Sequence, residues 1–149
     1  MTGSAPHGRS RDPRRSPERS HRELTRFHGI IVVERVGASP RAERVKVGGK
    51  RVNRVVIRPV KGRSSYFTAL HELGHHVADK PRLRLEQEVV AWRWALDHAI
   101  VEPTPGVWKM IARCLDSYVQ RAERRASMKL PASDHDFWKL LNQAKAATG

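Results

Sequence analysis

The sequence predicts an α+β fold in which a small three-stranded, antiparallel-type sheet is followed by about four helices. Two observations carry that reading. Short β-branched runs broken by Gly48-Gly49 fill residues 29 to 60, and from residue 64 onward apolar residues recur at three- and four-residue steps. Strands first and helices afterwards is the order of segregated α+β domains, not of alternating βαβ units.

Residues 1 to 22 hold Pro6, Pro13, Pro17 and five Arg between Arg9 and Arg19, with no large apolar residue after Met1. Such a segment cannot bury enough surface to offset the entropy of ordering, so a disordered basic tail is expected there. Residues 23 to 149 are expected to form a single domain. Its strands come from Ile30-Ile31-Val32-Val33, Val45-Lys46-Val47 and Val52 to Val60, the last two joined as a hairpin over the paired glycines. Arg44, Lys46, Arg51, Arg54 and Arg58 alternate with valines over parts of that hairpin, which implies one apolar face on the core, one basic face toward solvent, and an edge open to an extended peptide.

The first helix, about Ser64 to Asp79, has Ser64 or Ser65 available as its cap and stops before Pro81. A second, about Leu83 to Val101, turns Leu85, Val89, Trp92, Leu96 and Ala99 inward and ends at Glu102-Pro103-Thr104-Pro105-Gly106. These two span residues 64 to 101, and a C-terminal pair spans 106 to 147. The third helix buries Trp108, Ile111, Leu115, Tyr118 and Ala122; the fourth, with Asp134 and Asp136 in its first turn, buries Phe137, Leu140, Leu141 and Ala144.

The formal net charge is +14, and it is uneven: residues 1 to 28 carry 7 basic against 3 acidic side chains, 29 to 63 carry 10 against 2, and 64 to 149 carry 12 against 10. A basic N-terminal part joined to a near-neutral remainder suggests an anionic partner, nucleic acid being the commonest, with Arg44, Lys46, Arg51, Arg54 and Arg58 as its candidate contacts. Cys114 is the lone cysteine, so no disulfide, redox pair or thiolate zinc site is expected. No apolar run has the length of a membrane span and no hydrophobic segment follows the N-terminal charge, so a cytoplasmic protein without signal peptide or anchor is expected.

The chemistry concentrates in His71-Glu72-Leu73-Gly74-His75, an HExxH pattern on the first helix. Two imidazoles four residues apart lie one turn apart on one face and can reach one metal ion, with Glu72 beside them. Phe67, Leu70, Leu73 and Val77 form the buried stripe and leave the histidines on its flank. Gly74 costs about 1 kcal/mol against Ala inside a helix, which close approach of a neighbour would explain.

A catalytic zinc takes three protein ligands. The third His of a metzincin would fall at Pro81, which excludes that class. The remaining candidates are Asp79, Glu86, Glu88, Asp97 and His98. Glu88 is chosen because it sits at the edge of the apolar stripe, followed by Ala91 and Ala95, whose small side chains let the two helices lie close; Asp79 suits a hydrogen bond that orients a ligand histidine, and Glu86 reads as solvent-facing.

Tyr66 to His76 followed by Glu88-Val89-Val90-Ala91-Trp92-Arg93-Trp94-Ala95 resembles the gluzincin zinc metallopeptidases, most closely the small ImmA/IrrE-type family. The resemblance covers residues 65 to 95 well and residues 30 to 63 only as a three-stranded pattern, and Trp92 stands where that family commonly has Asn or Asp. It implies a minimal zincin-like fold, Zn2+ held by His71, His75 and Glu88, Glu72 as general base, and hydrolysis of a peptide bond in a specific protein or peptide substrate by zinc-activated water. A narrow-range endopeptidase is the leading reading. The alternative is a nucleic-acid-associated protein, either a protease of DNA-bound proteins resembling SprT-like enzymes or a binder with structural zinc. For an oxyanion donor Tyr66 points about 140° away around the helix, and Tyr118, His98 and His135 remain open.

Overall fold

A computed structural model of the protein describes residues 15 to 148. The elements in chain order are α1 (Pro17–His28), β1 (Ile31–Glu34), β2 (Arg41–Val47), β3 (Lys50–Ile57), α2 (Arg63–Val77), α3 (Arg84–His98), α4 (Pro105–Arg124) and α5 (Asp136–Ala147). The architecture is α+β, with a helix ahead of the sheet that the sequence reading lacked. Among the described residues no helix is long and apolar enough to cross a membrane.

The tail boundary expected at residue 22 falls inside α1; only its first 14 residues lie outside the described part. The helix has ordinary start signals: the Ser16 side chain accepts from the Arg19 N–H, Pro17 opens the first turn and Glu18 faces the positive end of the dipole. An apolar count misses it because Leu24 shares the buried face with Ser20, His21 and Thr25. Two of these polar groups find partners: Ser20 Oγ lies 2.9 Å from the Tyr66 hydroxyl, which also accepts the Ile100 N–H, and Thr25 donates to the Arg22 carbonyl, while His21 Nε2 is buried without a partner among the described residues.

Burial lowers the His21 pKa from 6.5 to about 4, against a weaker opposing hydrogen bond with the Ala69 backbone. A depressed histidine contributes stability that is complete above its unfolded pKa and is lost as pH falls toward the folded one. Stability is therefore expected to drop between about pH 6.5 and pH 4, with this one residue contributing up to about 3 kcal/mol. Chemical denaturation of wild type and His21→Leu at pH 7 and pH 5 checks it, the variant showing the shallower pH dependence.

The sheet order is β1-β3-β2, with β2 antiparallel and β1 parallel to β3, so the sheet is mixed and not antiparallel as expected. The hairpin turn stands at Gly48-Gly49, where φ is 57° and 81°, the left-handed pair that a two-residue turn needs and glycine supplies without strain. The third strand takes the centre, with Val55, Val56 and Ile57 at its end buried; charged β2 takes an edge.

Strand register also corrects the single basic face. Arg44 and Lys46 pair with Asn53 and Arg51 on the side of the sheet that carries Ala42 and Val55, whereas Arg54 faces the other side, paired with Glu43. Arg58 lies past the end of β3, its Nε donating to the Ala38 carbonyl at 2.7 Å. The five cations are thus divided among two faces and a loop.

Val55 and Ile57 close on Ala69 of α2, joined by Val32 and Ala42, while a larger helical core gathers Phe67, Leu70, Leu73, Leu85, Val89, Trp92, Ile111, Leu115, Phe137 and Leu140. The second helix is therefore sandwiched, sheet on one side and α3 and α4 on the other. Its cap is Gly62, and Ser65 acts from the first turn by accepting the Lys61 and Gly62 N–H groups.

Candidate metal centre

Where α2 crosses α3, a β-carbon on Gly74 would lie 2.8 Å from the Ala91 carbonyl oxygen and 3.2 Å from its Cα. Gly74 and the small Ala91 and Ala95 bring the two helix backbones into contact, and this close approach sets the depth at which Glu88 meets the histidines. The neighbour that explains the glycine is the backbone of α3, one turn beyond Glu88.

The result is a tight triangle of donors. His71 Nε2 lies 3.2 Å from Glu88 Oε1, His75 Nε2 lies 3.0 Å from Glu88 Oε2, and the two Nε2 atoms are 3.1 Å apart. Donors of a tetrahedral zinc site, about 2.0–2.1 Å from the ion, sit about 3.3 Å from one another. His71 is 5% and Glu88 2% exposed, so neither is free to solvate. Glu88 Oε2 and His71 Nδ1 are buried without a hydrogen-bond partner among the described residues, although Oε2 stands within ion-pair distance of His75. A cation at the centre of the triangle would satisfy three lone pairs that face one another, and the donor set is the His2Glu combination that suits zinc.

Burial opposes ionisation of Glu88, but the His71 and His75 rings against its two oxygens prevail and hold its carboxyl well below the usual carboxylate range. At Glu72 burial dominates and lifts the carboxyl above its ordinary value, with the charges of His71 and His75 acting against it. One donor atom each from His71, Glu72 and His75 lie within 4.8 Å of one another. The pair of glutamates is therefore divided into a carboxylate that stays ionised and one better suited to accept a proton.

All four residues line a cleft of about 540 Å³ whose far wall is the β2 edge from Pro40 to Arg44 and whose other walls bring Lys80, Arg84, Trp92, Cys114 and Tyr118. Asp79 is not among them: α2 ends at Val77 and Asp79 is exposed beyond it, and it accepts no hydrogen bond from His71 or His75. Trp92 supports His71 instead, its ring stacked on the imidazole at 3.9 Å and 21°. Glu86 turns away toward His135 at 3.5 Å, and Asp97 is exposed.

Of the oxyanion candidates, Tyr118 alone reaches the cleft. His98 stacks on Trp94, His135 caps α5, and Tyr66 is buried on the opposite side of α2. Arg84 donates to the Tyr118 hydroxyl at 3.3 Å and its Nε stands 3.8 Å from Glu88. Of the basic candidates, Arg44 alone lines the cleft. From the sequence Trp92 was read only as a core residue and a departure from the family pattern, Cys114 as outside metal chemistry, and Arg84 was given no role; the Arg84/Glu88 spacing of four was the one local signal.

No family model, curated protein or solved structure matches the chain.

Proposed function

We propose that the protein is a zinc-dependent metallopeptidase of gluzincin type, similar to the small ImmA/IrrE-type enzymes. The observation that carries this reading is the convergence of His71, His75 and Glu88 at 3.0–3.2 Å in a cleft that also holds Glu72. Zinc, when bound by these three residues, supplies a Lewis acid that polarises a carbonyl and lowers the pKa of water.

The chain's own groups supply the rest. Glu72 takes a proton from the attacking water and delivers it to the leaving nitrogen, a task helped by the burial that raises its basicity. Tyr118, with Arg84 bonded to its hydroxyl, is the donor best disposed to stabilise a developing oxyanion. Trp92 holds the His71 ring against rotation through their stacked faces. An extended substrate can lie along the free edge of β2, which forms the cleft wall.

Metal analysis tests the centre. Wild type is expected to carry one equivalent of zinc, and His71→Ala and Glu88→Ala less than a tenth of that after dialysis, since two ligands cannot compete with water as three do. Full zinc occupancy in Glu88→Ala would remove Glu88 from the ligand set.

A further inference from the structure

Cys114 was expected to take no part in metal chemistry. It sits on α4, one turn before Tyr118, and lines the cleft with both histidines and both glutamates. Its Sγ lies 3.9 Å from Glu88 Oε1, and one donor atom each from Cys114, Glu88 and His71 fall within 4.8 Å of one another. A thiolate and a carboxylate on one tetrahedral zinc are about 3.6 Å apart, from Zn–S of about 2.3 Å and Zn–O of about 2.1 Å. The observed sulfur–oxygen separation needs only a few tenths of an ångström to reach that value.

Two buried polar groups beside the sulfur have unused capacity. The Trp92 side chain, 2% exposed, lines the same cleft as Cys114, and its indole N–H is buried there without a hydrogen-bond partner among the described residues. The Glu88 side chain, also 2% exposed, leaves Oε2 without a hydrogen bond. A neutral thiol is a weak acceptor, whereas a metal-bound thiolate is a strong one, so sulfur ligation would satisfy the indole N–H while the ion takes up the carboxylate. Trp92 would then brace two ligands, His71 through its ring face and Cys114 through its N–H.

We propose that Cys114 is a fourth ligand of this metal, so that the resting centre is a closed His71, His75, Glu88 and Cys114 set that must release sulfur before substrate can be cut. The proposal rests on the zinc reading above. On binding, the S–H bond breaks, its proton goes to solvent and a sulfur–metal bond forms, with no change of oxidation state. Four protein ligands make the saturated geometry of a structural zinc site, and three leave the open position that hydrolysis needs. The two functions differ here by one side chain.

Cobalt(II) replaces zinc and reports sulfur directly. The full chain loaded with one equivalent of cobalt is expected to show a thiolate-to-cobalt charge-transfer band in the near ultraviolet. Cys114→Ser should bind the same equivalent without that band. The zinc form of the variant should cleave a fluorogenic peptide library about tenfold faster than wild type, as when a tenth of the wild-type centres are open. In case the variant does not fold, a second measurement uses wild type alone: zinc should slow alkylation of Cys114 by iodoacetamide at least tenfold relative to the metal-free protein. A stoichiometric cobalt complex of wild type with no charge-transfer band, or alkylation indifferent to zinc, overturns the fourth ligand and leaves the three-ligand centre standing. No cobalt bound at all overturns the metal centre itself.

Discussion

A Glu72→Gln protein is expected to hold the same equivalent of zinc as wild type and to cleave a genuine substrate about 10²–10⁴-fold more slowly, the range that a positioned proton acceptor contributes. Glutamine keeps the size of the side chain and one accepting oxygen but cannot take a proton at neutral pH. The site makes this separation clean, because Glu88 and the two histidines already form the compact donor triangle and Glu72 stands beside it. The rate should be compared in the wild-type and Cys114→Ser backgrounds, so that a closed centre does not mask the loss. Undiminished cleavage would remove Glu72 from proton transfer, and lost zinc would make it a ligand.

Gly74→Ala is expected to weaken both the fold and the centre, though alanine is the better helix former by about 1 kcal/mol. The added β-carbon would meet the Ala91 carbonyl oxygen at 2.8 Å, its Cα at 3.2 Å and its carbonyl carbon at 3.4 Å, all backbone atoms that no side-chain rotation can move. The helices must separate, at a cost of about 1–3 kcal/mol or somewhat more for overpacking. The net loss, up to about 2 kcal/mol, should lower the melting temperature of the metal-free protein by up to about 8 °C. Separation also withdraws Glu88 from the histidines, and zinc affinity should fall roughly 10–100-fold, as when the support of a metal ligand is lost. Thermal melts and chelator competition measure the two effects; wild-type values in both would refute close approach as the device that seats Glu88.

The helical half of the molecule was largely legible because it is patterned. Leu85, Val89 and Trp92, then Phe137, Leu140, Leu141 and Ala144, recur at helical spacing and are all buried. Glu88 could be chosen from its place beside Ala91 and Ala95, since small residues announce close packing. The sheet was legible only where pairing is local: Gly48-Gly49 announces the hairpin, but nothing in Ile31 to Glu34 says which edge it joins or in which direction. The first helix was hidden by polar residues on its buried face, and strand β2 was read only as Val45-Lys46-Val47 because its first half, from Arg41 to Arg44, is charged. At the centre, Trp92 looked like a departure from a familiar pattern. Its contact with His71 depends on ring orientation across two helices, and the nearness of Cys114 depends on how α4 packs, neither of which a linear pattern encodes.

The strand order β1-β3-β2 also bears on how the chain reaches this structure in time. The β2–β3 hairpin closes over two glycines, and α2 docks on α3 across a short connection, so both units form from neighbours in sequence. The first strand pairs in parallel with the far edge of β3 across the whole of β2, a less local contact than the hairpin, and is expected to dock later. His71, His75 and Glu88 all belong to the early, local unit. On the zinc reading proposed above, an ion captured by the nascent helix pair would tether it while the parallel pairing completes.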